Sequence, residues 1–112
     1  MKPVYSDYLN DILNSMELSQ SFIQDHTLQT FYEDGKTQFA VIRCLEIIGE
    51  AVKRLPDELR NDNPDVPWKA MAGMRDRLIH GYDVVDPEVI WITVNKTIPG
   101  IIPKIKDIIE IT

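Results

Sequence analysis

The sequence has few of the residues that build cross-links or metal sites. Cys44 is its single cysteine, and His26 and His80 are its two histidines. One cysteine cannot form an intrachain disulfide, and it cannot supply a cysteine-based zinc site. The two histidines also lack the HExxH-type spacing of helical zinc sites. We therefore expect a reduced, cytoplasmic protein that uses no metal and no other cofactor.

Long apolar runs are absent as well. No run approaches the roughly 18–20 apolar residues that a membrane-spanning helix needs, so no membrane partner is expected. Asp7 and Asp11 stand where a signal peptide would be apolar, which argues against export. Hydrophobic residues make up 44% of the 112 residues and charged residues 27%, a globular balance. We expect a single domain over residues 1–112.

An excess of basic residues, common in nucleic-acid-binding proteins, is also missing. The formal net charge is −6, but it is unevenly distributed. Residues 1–34 hold six acidic side chains against Lys2 alone, whereas the remaining residues hold twelve acidic and eleven basic side chains. Any contact with a nucleic acid should therefore involve the second part of the chain.

Strand-like alternation does not occur, and apolar residues recur instead at helical spacing. This pattern predicts an all-α fold class, a bundle of four to five helices. Pro99-Gly100 and Pro103 should kink or split the last helix. The predicted long helices cover residues 4–24, 36–55, 67–80 and the segment from Pro87 onward, with short turns near Leu28 and Asp57. Asp86 is the expected cap of the last helix, with Pro87 in its first turn.

The predicted helix over residues 36–55 carries two stripes. The apolar stripe should face the core. The charged stripe is either a salt-bridged surface or, through Glu50 or Arg43, a support for a nearby site. Its apolar members are Phe39, Ile42, Leu45, Ile48, Val52 and Leu55, and its charged members are Arg43, Glu46, Glu50 and Lys53.

The densest site chemistry lies between Arg75 and Tyr82. Arginine binds phosphate through a planar fork of donors, and histidine transfers protons near neutral pH. Asp76 stands one helical turn before His80 and should orient its ring and favour its charged form. These groups suit an enzyme that acts on a phosphodiester. The alternative is that basic residues before Gly81 only stabilise the end of a helix.

Helical geometry limits how these side chains can act together. Arg75 and His80 are five residues apart, which separates them by roughly 140° around an ideal helix. One ideal helix therefore does not aim both at one phosphate. Either the helix end is distorted, or a second copy of the chain brings its own Arg75 or His80 to the same place, as a two-fold dimer would.

The spacing Arg75-x4-His80-x-Tyr82 on a predicted helix resembles the HEPN superfamily. More closely, the chain is similar to the HepT toxins found beside MntA-type nucleotidyltransferase antitoxins. Two segments carry the likeness, namely AVIRCLEIIGEAVKRL (residues 40–55) and PWKAMAGMRDRLIHGYDVVD (residues 67–86).

The resemblance implies a HEPN-type bundle that forms a homodimer and acts as a metal-independent endoribonuclease toxin on RNA. Arg75 and His80 match the catalytic residues, and Arg77 would support them. Asp76 fills a polar position where asparagine is usual. Tyr82 matches the tyrosine to which an MntA-like nucleotidyltransferase antitoxin attaches AMP, in a type VII-like pair. Two other functions stay open: a non-catalytic nucleotide- or RNA-binding partner of a nucleotidyltransferase, and a purely structural partner.

Overall fold

The computed structural model describes residues 4–80 and 85–112, and these residues form helices and contain no β-strand. The all-α prediction is confirmed. Among these residues, four long helices form the bundle, and three short helices of six residues each lie between them. The helices are α1 (Ser6–Ile23), α2 (Leu28–Glu33), α3 (Gly35–Arg54), α4 (Asp57–Asp62), α5 (Trp68–His80), α6 (Pro87–Ile92) and α7 (Ile98–Ile111).

Side-chain caps set the beginnings of three helices. The Thr27 hydroxyl accepts from the backbone N–H of Thr30 at the start of α2, and the Asp34 carboxylate accepts from that of Thr37 in α3. Asp86 caps α6, with Pro87 in its first turn, as the Asp-Pro pair predicted. These caps satisfy donors that a helix leaves free at its N-terminus.

A π-helical segment, Thr93–Thr97, connects α6 to α7. It ends two residues before Pro99, which has no backbone N–H to continue an α-helical ladder. The predicted break at Pro99 therefore takes the form of a local change of helix type. Pro103, in contrast, lies inside α7, and the helix continues through it to Ile111, so the chain is not split there.

The core lies where α3 and α7 pack against α1. Phe39 was expected in this core, but it is 76% exposed, so that prediction was wrong. The buried face of α3 instead follows Val41, and Phe39 stands two residues, or roughly 200°, away from it. The buried core residues include Leu9, Ile12 and Met16 of α1, Val41, Leu45, Ile48 and Val52 of α3, and Ile98, Ile101, Ile105 and Ile108 of α7.

Helix α5 lies against α3 and carries the segment with the predicted site. Its first residue, Trp68, is buried, and the indole Nε1–H donates to the Asn63 carbonyl at 3.0 Å. Trp68 thus anchors the start of α5 to the loop before it. Across residues 4–80 and 85–112, no helix is both long enough and apolar enough to cross a membrane.

Candidate functional site

The crossing of α3 and α5 depends on a glycine. A Cβ placed on Gly49 would lie 2.2 Å from the Arg75 Cβ and 2.8 Å from the Met71 carbonyl oxygen, both far inside contact distance. No described glycine has a positive φ, so Gly49 is needed for the close approach and not for its backbone conformation. This contact fixes where the Arg75 side chain leaves α5.

Arg75 is half-buried at this crossing, with 22% of its side chain exposed. Its Nη1 donates to the Asp76 carboxylate at 3.1 Å. Its Nε is buried and has no hydrogen-bond partner within the described part of the chain. The guanidinium has more N–H donors than these contacts use, so the exposed part of the Arg75 side chain can take a further anionic acceptor such as a phosphate.

The Asp76 carboxylate is shared by two cations. The Lys53 ammonium, projecting from α3, donates to its Oδ1 at 2.5 Å, and the Arg75 Nη1 approaches the same oxygen. Hydrogen bonds from Lys53 and then from Arg75 hold the pKa of Asp76 below its usual 3.8. Near neutral pH, therefore, one negative charge stands between two positive ones.

The predicted contact between Asp76 and His80 does not form, and that prediction was wrong. The carboxylate instead contacts Lys53 and Arg75, whereas His80 is an exposed residue in the last turn of α5. Sequence spacing showed that the pair shares a face of the helix. Spacing could not show that a lysine from α3, Lys53, is a partner of the carboxylate.

Arg77 lies on a different face of α5 from Arg75. It is exposed, its Nη2 contacts the Met74 sulfur at 3.8 Å, and it borders an apolar groove of about 180 Å³ between α5 and α7. The other groove-lining residues include Ile98 and Ile101. In a single copy of the chain, Arg77 is therefore not part of the cluster around Asp76.

Tyr82 and Gly81 lie outside the described residues, so the predictions made for them rest on sequence alone. The described chain resumes at Val85, just before α6. There the Tyr32 hydroxyl donates to the Asp86 Oδ1 at 2.8 Å, and the same oxygen accepts from the Glu88 backbone N–H at 2.9 Å. The chain is thus fixed to α2 where it enters α6.

Sequence reasoning missed the roles of Gly49 and Lys53. Within the charged stripe of α3, Arg43 pairs with Glu46, and Glu50 pairs with Arg54 beside the stripe, as on a salt-bridged surface. Lys53 differs because it stands four residues after Gly49, on the face that meets α5. The four-residue spacing of Gly49 and Lys53 was the sequence signal that could have placed Lys53 on the face of α3 that meets α5. No group of three or more potential metal ligands occurs among the described residues.

Comparison with known proteins places these features in a family. The family described as "Ribonuclease HepT-like" matches residues 12–108. A probable ribonuclease HepT of Thermococcus cleftensis is 48% identical over 101 residues, which cover 90% of this chain and 92% of that protein. A putative RNase of Methanocaldococcus jannaschii is 48% identical over 103 residues, covering 92% of this chain and 85% of that protein.

A putative RNase of Caldanaerobacter subterraneus is 43% identical over 103 residues, covering 92% of both chains. No solved structure matches the chain. The family match spans α3 and α5 and includes Gly49, Lys53, Arg75, Asp76 and His80. The chain belongs to the HepT-like ribonuclease family.

Proposed function

We propose that the protein is a metal-independent endoribonuclease toxin that cuts RNA at a site built by two copies of the chain. One observation carries this proposal. Arg75 is held in the crossing of α3 and α5, whereas His80 is exposed at the end of α5 and does not belong to the same cluster. A second copy, related by a two-fold axis, would bring another Arg75 and His80 to the same cleft.

The surface of α5 supports such a dimer. Trp68 is its one buried residue, and the apolar side chains of Met71, Met74 and Leu78 are only half-covered. Ile79, beside His80, is 41% exposed. A helix with this much uncovered apolar surface is suited to pack against a partner, and in an isologous interface each residue contributes twice.

Cleavage would begin with attack of an RNA 2′-oxygen on the adjacent phosphorus. The P–O bond to the 5′-oxygen breaks, giving a 2′,3′-cyclic phosphate and a free 5′-hydroxyl. His80 would take the proton from the 2′-hydroxyl or give one to the leaving oxygen, at a site whose Arg75 comes from the other copy. Arg75 would stabilise the charge on the phosphoryl oxygens by about 3 kcal/mol, the magnitude of a single oxyanion donor.

The charge of the cluster fits this task. Lys53 and Arg75 carry two positive charges and Asp76 one negative charge, so the cluster stays positive when the carboxylate is ionised. A two-fold dimer would contain two such clusters. This local positive charge would attract a phosphodiester although the whole chain is acidic.

Regulation would act on Tyr82. We assign it as the residue to which an MntA-like nucleotidyltransferase antitoxin attaches AMP, because it stands two residues after His80 in the family's Arg-x4-His-x-Tyr spacing. The added phosphate would compete with RNA for Arg75 and repel the RNA backbone. The two proteins would thus form a cytoplasmic toxin–antitoxin pair.

Incubating the unmodified protein with RNA in the presence of EDTA tests the enzymatic part of this proposal. Fragments ending in 2′,3′-cyclic phosphate should accumulate with the wild type and not with His80→Ala. Because His80 is exposed, this variant should retain the fold, which circular dichroism would check. Activity lost with EDTA and restored by a divalent ion would contradict the proposal.

A further inference from the structure

We infer that Lys53 is a positioning residue that holds Arg75 in place through Asp76. This inference rests on the proposed function and adds a residue on a different helix to the same site. Lys53 lies on α3, whereas Arg75 and Asp76 are neighbours on α5. The Asp76 carboxylate is the point where the two helices are joined by charge.

The linkage follows from the acceptors available to the Arg75 guanidinium. Within the described residues, its hydrogen bonding to protein runs through one contact, from Nη1 to the Asp76 Oδ1 at 3.1 Å. Its Nε has no partner there. The orientation of the guanidinium plane therefore depends on where the Asp76 carboxylate lies, since residues 4–80 and 85–112 provide no second hydrogen bond that would fix the plane.

The position of that carboxylate depends in turn on Lys53. Asp76 is 45% exposed, so its side chain would otherwise be free to change rotamer in solvent. The Lys53 ammonium contacts the same Oδ1 at 2.5 Å and reaches it from the opposite helix. Gly49, one turn earlier on α3, brings the backbones close enough for this contact. Lys53 therefore acts on Arg75 indirectly.

This role differs from direct binding of RNA by Lys53. A lysine that contacts a phosphate would contribute to affinity and to the salt dependence of binding. A lysine that is engaged by Asp76 would instead affect how well Arg75 meets the transition state. The positioning role predicts an effect on kcat that depends on Asp76. Direct binding of RNA predicts an effect on KM that does not depend on Asp76.

The test compares Lys53→Met, which keeps an unbranched side chain but removes the charge, with Lys53→Arg, which keeps the charge. Lys53→Met should lower kcat about fivefold with little change in KM, the size expected for an exposed ion pair. Lys53→Arg should restore most of kcat. Lys36→Met, an exposed lysine at the start of the same helix, is the matched control and should leave both constants unchanged.

A double-mutant cycle tests whether the effect passes through Asp76. Lys53→Met added to Asp76→Asn should cause no further loss of kcat, because the linkage is already broken. Equal losses in both backgrounds, or a rise in KM with kcat unchanged, would overturn the inference and indicate a direct contact with RNA.

NMR on the same variants is independent of RNA cleavage and separates failure of this inference from failure of the proposed function. In Lys53→Met, the Asp76 carboxyl should titrate at a higher pH than in the wild type, and the Arg75 Nε–H should exchange faster with water. If both signals stay unchanged in Lys53→Met, Lys53 does not position Arg75, whether or not the wild type cuts RNA.

Discussion

Replacing Gly49 with alanine tests the geometry on which the site depends. The new Cβ would lie 2.2 Å from the Arg75 Cβ and 2.8 Å from the Met71 carbonyl oxygen. Neither the backbone oxygen nor a Cβ can rotate away. The helices α3 and α5 must therefore separate by about 1 Å to reach ordinary contact at 3.4 Å, and Arg75 must move with α5.

Two effects of opposite sign determine the free energy of unfolding of Gly49→Ala. Alanine favours a helix over glycine by about 1 kcal/mol. Overpacking of a close contact costs about 1–3 kcal/mol, and here two contacts are violated together. We expect the cost of overpacking to exceed the gain in helix propensity, so the free energy of unfolding should fall by about 1–2 kcal/mol. RNA cleavage should fall by more than the unfolded fraction explains, because Arg75 is displaced.

Gly73→Ala is the matched control, since Gly73 lies inside α5 and has nothing within 4 Å of an added Cβ. It should stabilise the protein by up to about 1 kcal/mol. Urea unfolding at fixed protein concentration, with RNA cleavage measured on the same samples, compares the two variants. A Gly49→Ala protein as stable and as active as the wild type would refute the reasoning about the helix crossing.

Two further predictions concern regulation and pH. Tyr82→Phe should keep RNA cleavage but escape neutralisation by a co-expressed nucleotidyltransferase antitoxin. Mass spectrometry should find AMP on the wild type only. AMP on another residue would show that Tyr82 is not the regulatory residue. The pKa of Asp76 is lowered by Lys53 and Arg75, so its ionised form adds stability above pH 3.8 that is lost as pH falls through the lower, folded-state pKa. Asp76→Asn should therefore reduce the loss of stability below pH 3.8 in acid titrations followed by circular dichroism, and an unchanged profile would contradict the pairing.

Much of the fold could be predicted because its signals are local. Helical periodicity placed α1, α3 and α5 to within about two residues of their observed ends. The pair Asp86-Pro87 predicted the start of α6, since both residues act within one turn. The prediction that Phe39 is buried was wrong because apolar spacing along a helix does not show which part of the apolar face a neighbouring helix covers.

The site was predictable only in part, because its geometry depends on contacts between helices. Residue types alone indicated the segment from Arg75 to His80 as the candidate site, and its catalytic role stays a prediction. The partner of Asp76 could not, because Lys53 is 23 residues away in sequence and reaches it only where Gly49 lets α3 and α5 meet. Spacing along α5 favoured His80 as that partner, but spacing does not rank a local contact against a stronger one from another helix.

Mixing Arg75→Ala and His80→Ala proteins tests the central claim most directly. Each variant alone should be inactive, since every site lacks either an arginine or a histidine. If a site takes Arg75 from one copy and His80 from the other, a mixed dimer has one intact site, and subunit exchange should restore about a quarter of wild-type RNA cleavage. Native mass spectrometry would verify that mixed dimers form. Mixed dimers without any recovered cleavage, or full activity in a protein that stays monomeric, would contradict the account.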